Sequence, residues 1–152
     1  MPETKNSYAY PVLLTKQVQM TADASPAHIG RLSCAVDFII PEGTPILAAF
    51  EGIVVDVKQD SNVGGEDQSY DVLGNYLEIQ HDHGEYSIYE HIRQHGSLVK
   101  IGDKVKKGQV IGYSGNTGWI ATLGPHLHFD VHTYLGNNPD DYRTLKIRWQ
   151  KE

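Results

Sequence analysis

The chain has 152 residues, 13 Lys+Arg against 19 Asp+Glu for a formal net charge of −6, and one cysteine. That length fits one domain with a core of its own and excludes two full-sized ones. The acidic balance, with no Lys/Arg-rich patch beyond Lys100 to Lys107, argues against nucleic acid or an anionic membrane and leaves an uncharged, basic or peptidic partner.

Cys34 alone excludes an internal disulfide and a cysteine-based zinc ribbon, so packing, and a metal held by other ligands, must supply the stability. No apolar run approaches the ~20 residues of a spanning helix, so no transmembrane segment is expected. Met1 to Val18 lack the basic start, apolar stretch and small-residue cleavage site of a secretory signal, so these residues announce no export. The anomaly is eight histidines, at 28, 81, 83, 91, 95, 126, 128 and 132, a surplus that points to metal binding or acid–base chemistry.

In chain order, residues 1–27 fit neither the strand spacing nor the glycine rhythm of the central residues and read as an N-terminal extension. From Ala35 to Val131 short β-rich runs are punctuated by glycine and proline, and no segment holds a 3.6-residue apolar period for three turns. Strands are expected at Ala35–Ile40, Pro45–Ala49, Gly52–Val57, Asn75–Gln80, Glu85–Tyr89, Gln109–Tyr113 and His126–Thr133. Turns fall at Pro41-Glu42-Gly43, Glu51-Gly52 and Asp82-His83-Gly84. The polar stretch Lys58 to Gly74, with Gly64-Gly65 and its acidic residues, reads as a mobile surface loop. Residues 28–135 form the domain, and 136–152 are a C-terminal extension packing on the core, in which Thr144 to Trp149 alternates like an edge strand.

Two segments echo each other: Gly43-Thr44-Pro45-Ile46-Leu47-Ala48 followed by Gly52-Ile53-Val54, and Gly102-Asp103-Lys104-Val105 followed by Gly108-Gln109-Val110-Ile111-Gly112. Each is a turn, short strand, glycine, strand unit of hammerhead type. The expectation is an all-β, mostly antiparallel, barrel-like β-sandwich with a metal-site groove.

The chemistry concentrates in Gly124-Pro125-His126-Leu127-His128-Phe129-Asp130-Val131-His132, where polar and apolar residues alternate strictly. On a strand this sends Leu127, Phe129 and Val131 into the core and puts His126, His128, Asp130 and His132 on the other face. Same-face neighbours lie roughly 7 Å apart, so one of His126 and His128 can bind a metal while the other reaches its water. Asp37 interrupts the apolar run Ala35-Val36-Asp37-Phe38-Ile39-Ile40, where a buried carboxylate is costly unless paired or bound to a cation. His91 ends the run Tyr86-Ser87-Ile88-Tyr89-Glu90, and His28 is the histidine upstream of Asp37. His81 and His83 read as structural or groove-lining, and His95 as solvent-facing.

These residues resemble the lysostaphin/LytM-type zinc metallopeptidases, small β-rich enzymes that cut peptide bonds in bacterial peptidoglycan. The resemblance runs in order from His28 to His132 through Asp37-Phe38, Pro41 to Ala48, Gly74 to Ile79, Tyr89-Glu90-His91-Ile92, Gly102 to Gly112 and Gly124 to Phe129. It implies one zinc ion per chain, held by His28, Asp37 and His128, with His91 and His126 as the catalytic pair. Three protein ligands leave a fourth position for water, as in catalytic rather than structural zinc sites. It also implies peptidoglycan peptides as substrate, other peptides remaining open, and an extracytoplasmic location; the oligomeric state is not fixed by the sequence, with a monomer the expectation. Two features depart from the family pattern. His28 stands nine positions before Asp37 where the usual spacing is four, and Thr122-Leu123 replace the small residues that usually precede Gly-Pro-His-Leu-His.

Two other classes compete. A non-catalytic LytM-like module that binds peptidoglycan or regulates another wall hydrolase would have lost ligands, whereas all five positions are filled here. A lipoyl or biotinyl carrier needs a lysine at its hairpin tip, and the matching turn reads Phe50-Glu51-Gly52.

Overall fold

The computed structural model describes residues 2–21, 30–120 and 124–150. His28, Thr122 and Leu123 lie outside the described residues. The strands, in chain order, are β1 (Glu3–Tyr8), β2 (Gln19–Thr21), β3 (Val36–Ile39), β4 (Pro45–Leu47), β5 (Gly52–Lys58), β6 (Gly64–Gly65) and β7 (Tyr76–Gln80). Next are β8 (Tyr86–Glu90), β9 (Ile92–Ser97), β10 (Lys104–Val105), β11 (Val110–Ser114), β12 (Gly118–Trp119), β13 (His126–Tyr134), β14 (Tyr142–Thr144) and β15 (Lys146–Trp149). Short 3₁₀ turns are the helical content of the described residues, and none of their helices is long and apolar enough to cross a membrane.

The largest sheet runs β10-β5-β7-β8-β13-β3-β2, with β14 also pairing β13, and a three-stranded sheet runs β4-β11-β9. The echo between the two glycine-punctuated segments has a direct cause. The units exchange strands: β4 of the first pairs β11 of the second, and β10 of the second pairs β5 of the first. Similar sequences therefore occupy reciprocal positions in a local pseudo-twofold arrangement.

The all-β, mostly antiparallel expectation holds, but the barrel does not form. Among the described residues no sheet closes on itself: the large sheet is open, ending at β10, which pairs β5, and at β2, which pairs β3. Closure needs every strand flanked on both sides, and edge strands of two and three residues offer too little backbone for it. Two further differences are local. The stretch from Lys58 to Gly74 carries its own structure: β6 pairs in parallel with β12, and a 3₁₀ turn over Gln68–Leu73 is capped by the Asp67 side chain. The expected edge strand from Thr144 to Trp149 is split at Leu145, β14 joining β13 and β15 pairing in parallel with β1.

The core gathers the inner faces of both sheets, including Val54, Leu77, Ile79, Tyr89, Leu127, Phe129 and Val131 from the large one and Ile46, Ile92 and Ile111 from the small one. Each such side chain contributes about 1.5–3 kcal/mol of burial. The chain ends fold onto it. Trp149 stacks on Tyr10 with ring centroids 4.6 Å apart, and the buried Glu85 carboxylate accepts the backbone N–H groups of Lys5 (2.6 Å) and Asn6 (3.2 Å) and the Tyr8 hydroxyl (2.9 Å).

One buried histidine belongs to this framework. His81 Nδ1 bonds the Glu51 carbonyl at 2.7 Å and its Nε2 meets Ser87 Oγ at 2.8 Å. Ser87 Oγ in turn meets the Tyr89 hydroxyl at 2.9 Å, which accepts the Ala49 N–H at 2.9 Å. A neutral ring satisfies every atom of this chain, and burial lowers the His81 pKa below its ordinary value in agreement with that state.

Candidate active site

Strand register assembles the site. β13 lies between β3 and β8, and His128 sits directly opposite Asp37 on one side and Glu90 on the other. Directly opposed residues have Cβ atoms about 4.5–5.5 Å apart, so one cross-strand row, Asp37–His128–Glu90, is fixed by backbone pairing alone. Two residues earlier on the same face of β13 is His126, opposite Ile39. Asp37, His126 and His128 are all buried.

His91 arrives by a different route. It is the residue between β8 and β9 and takes φ = 71°, a left-handed conformation that costs a non-glycine residue roughly 1–3 kcal/mol. The surroundings hold it there. Its N–H donates to the Asn75 carbonyl at 2.9 Å, its carbonyl accepts the Gly115 N–H at 2.8 Å, and its Nδ1–H donates to the Thr117 carbonyl at 2.7 Å. The turn that presents Thr117 needs glycine next to it: Gly118 has φ = 86°, and a Cβ there would lie 2.6 Å from Gly74 Cα. The His91 ring centroid is thereby placed 4.5 Å from that of His126 and 6.2 Å from that of His128.

The polar contacts define two sides of His128. Its Nδ1 is 3.5 Å from Asp37 Oδ1, and His126 Nε2 is 3.7 Å from the same oxygen. His126 itself is oriented by Nδ1–H donating to the Gly124 carbonyl at 2.8 Å. On the other side, His128 Nε2 lies 3.1 Å from Glu90 Oε2 and 3.3 Å from Asp130 Oδ2. Glu90, His128 and Asp130 bring their ligand atoms within 4.8 Å of one another, a set of the kind that holds a metal ion.

Electrostatics follow from this layout. Burial, and next the neighbouring His126 and His128, push His91 down to about 3, so it is a neutral imidazole at pH 7. Burial would lower His128 as well, but the Glu90, Asp130 and Asp37 carboxylates outweigh it and hold the ring well above its ordinary range. Burial would raise Asp130, and the hydrogen bonds from His128 and His132 instead hold it far below the usual carboxylate range.

The sequence profile of peptidase family M23 matches residues 31–141. The chain belongs to peptidase family M23. An uncharacterized metalloprotease of Buchnera aphidicola subsp. Baizongia pistaciae is 42% identical over 113 residues, covering 74% of this chain and 26% of that protein. The peptidoglycan DD-endopeptidase ShyA of Vibrio cholerae is 39% identical over 95 residues, covering 62% of this chain and 19% of its own length. The crystal structure of a zinc-containing peptidase from Vibrio cholerae superimposes with a TM-score of 0.60 at 31% identity over 83% of this chain and 36% of that one. The chain thus spans about a fifth to a quarter of the length of these curated M23 relatives.

Of the expected site residues, Asp37, His91, His126 and His128 come together in one buried cluster. His28 lies outside the described residues, and the M23 profile begins three positions after it. Thr21, on β2, is paired with Asp37 of β3. His132 and Asp130, which share the face of His126 and His128, are buried as well. His81 is buried and structural, while His83 and His95 are exposed. The sequence reading missed Glu90, Glu78 and Thr117. The alternation Tyr86-Ser87-Ile88-Tyr89-Glu90 held a signal for Glu90, since Ser87 and Tyr89 face the core and Glu90 the other side. The Thr117 contribution is a carbonyl, which any residue carries, so nothing in the side chains announced it.

A cleft of about 190 Å³ is lined by Glu42, Asn62, Arg93, Gln94, Gly115, Asn116 and Thr117, of which Gly115 and Thr117 hydrogen-bond to His91. A larger cleft of about 500 Å³ opens elsewhere, around Gly52, His81 and Lys104. Its histidine has both ring nitrogens bonded inward.

Proposed function

We propose that this chain is a zinc-dependent endopeptidase that hydrolyses peptide bonds of bacterial peptidoglycan, acting outside the cytoplasmic membrane. The observation that carries the proposal is the single buried cluster of Asp37, His128, His126 and His91. His28, Asp37 and His128 would hold one zinc ion. The donor set fits it: two ligands bound at about 2.1 Å with tetrahedral angles stand about 3.3–3.5 Å apart, and His128 Nδ1 is 3.5 Å from Asp37 Oδ1. An Asp and two His with one position left for water suit a catalytic zinc.

Zinc, when bound, supplies a Lewis acid that polarises a carbonyl and lowers the pKa of water toward about 7. The chain's own residues supply the proton transfers. His91 and His126 each give Nδ1–H to a backbone carbonyl, Thr117 and Gly124, so each ring would accept a proton at Nε2. One takes the proton of the attacking water at Nε2 and returns it to the amine nitrogen as the C–N bond breaks, while the other, carrying a second proton taken from solvent, donates it in a hydrogen bond to the substrate oxygen on which charge grows. Rings fixed by strand register and by carbonyl bonds need little reorganisation as that charge develops.

The test is digestion of purified peptidoglycan by the zinc-loaded chain, with products identified by mass spectrometry and His126→Ala run beside it. New amino and carboxyl ends in cross-linked peptides, absent with the variant, are the expected result. Binding to peptidoglycan without cleavage would replace the enzyme by a non-catalytic wall-binding module.

A further inference from the structure

Behind His128 the molecule carries more buried charge than a ligand triad requires. Asp130 Oδ2 meets His128 Nε2, and Asp130 Oδ1 accepts His132 Nδ1–H at 2.8 Å. The other nitrogen of His132 meets Glu78 Oε2 at 2.7 Å, and that same oxygen accepts the Tyr134 hydroxyl at 2.6 Å. Asp130, His132 and Glu78 are all buried. Tyr86 stacks on the His132 ring, with centroids 5.9 Å apart and planes at 12°, and the Tyr142 centroid lies 4.9 Å away. The chain therefore spans from β13 to β7, with β8 between them in the sheet, and ends on a tyrosine.

We infer that Asp130, His132 and Glu78 form a positioning chain that fixes the His128 ring with Nδ1 aimed at Asp37, so that the meeting of Glu90 and Asp130 at Nε2 orients the ligand and is not a second ion site. The inference rests on the reading of His128 as a zinc ligand. A neutral imidazole has one N–H and one lone pair, so the partner of one nitrogen decides what the other offers. Carboxylates face both nitrogens, Glu90 and Asp130 at Nε2 and Asp37 at Nδ1, and with zinc held between Nδ1 and Asp37 the N–H would sit on Nε2 and the lone pair on Nδ1, the side on which His126 and His91 also gather.

The position of Asp130 is set from behind. His132 has a carboxylate at each ring nitrogen and so donates both N–H groups, which holds Asp130 against rotation while its second oxygen serves His128. Burial would lower the His132 pKa, but Asp130 and Glu78 raise it to about 9, in keeping with a charged ring in that place. A carboxylate behind a metal-bound histidine also makes that ring a better ligand, and losing such a partner weakens metal affinity by about 10- to 100-fold.

The experiment measures zinc affinity by chelator competition on the full chain, for wild type, Asp130→Asn, His132→Gln and the double variant, with circular dichroism checking the fold. Asp130→Asn is expected to weaken binding about 10- to 100-fold at an unchanged stoichiometry of one. His132→Gln should weaken it less, and should add nothing once Asp130 is already Asn, because His132 acts through Asp130. A simple loss of stability would make the two substitutions add. Additive effects, unchanged affinity in both single variants, or a second zinc equivalent lost with Asp130→Asn would each overturn the positioning chain. A wild-type chain that takes up no zinc would overturn the metal centre itself and the positioning chain with it. Should the variants fold poorly, ¹H–¹⁵N spectra of histidine-labelled wild type loaded with zinc decide the matter: the N–H of His128 on Nε2 supports the chain, and on Nδ1 overturns it.

Discussion

Strand β8 separates two buried histidine networks that differ in what surrounds the ring. On its core side, His81, Ser87, Tyr89 and the Ala49 N–H form a closed sequence of hydrogen bonds around a neutral ring. On the other, Glu90 faces His128, beside Asp37, Asp130, His126 and His91, with ring nitrogens and carboxylate oxygens held 3.1 to 3.7 Å apart. Both networks are buried, so burial does not distinguish a structural histidine from a reactive one. Composition does: the first network is one closed run of hydrogen bonds around a single ring, while the second crowds the Asp37, Glu90 and Asp130 carboxylates around His128.

The sharpest way to break that contrast is to remove a ligand. Asp37→Ala or His128→Ala should abolish zinc binding and lower peptide hydrolysis by about 10³-fold or more, read by elemental analysis and by product release. His126→Ala and His91→Ala should each lower hydrolysis about 10²- to 10⁴-fold while zinc content stays unchanged. The closed network should answer to stability instead. Ser87→Ala leaves His81 without its hydroxyl partner and should cost about 1–3 kcal/mol in denaturant unfolding, with hydrolysis per folded molecule unaltered.

The smallest expected effect is on pH dependence, and its sign differs between the two sides. The His81 pKa is lowered in the folded chain by burial. Its contribution is therefore present above the ordinary value of 6.5 and is lost as pH falls below it. His132 is raised to about 9. Its contribution is complete below 6.5 and is lost as pH rises through about 9. Unfolding free energies of wild type, His81→Asn and His132→Gln from pH 5 to 9.5 at constant zinc should show the first difference shrinking on the acid side and the second on the alkaline side.

The site was legible in the sequence where period-2 alternation carried it. His126, His128 and Asp130 share a face because Leu127 and Phe129 must be buried, and Asp37 stood out as a carboxylate in an apolar strand. What sequence could not carry was partnership at a distance. That Glu78 on β7 ends a chain begun at His128 on β13 follows from sheet order, with β8 between them, and no local pattern encodes sheet order. The barrel expectation failed for a related reason. Hammerhead units announce strands and turns, whereas closure depends on whether the edge strands meet, and here β10 and β2 are short and stay apart.

The most direct measurement is the zinc content of the zinc-incubated, dialysed chain by elemental mass spectrometry, with His128→Ala and Ser87→Ala alongside. One zinc per wild-type chain, lost in His128→Ala and kept in Ser87→Ala, is the predicted result. Zinc retained in full by a folded His128→Ala, or absent from wild type, would contradict the assignment of this network as the metal centre.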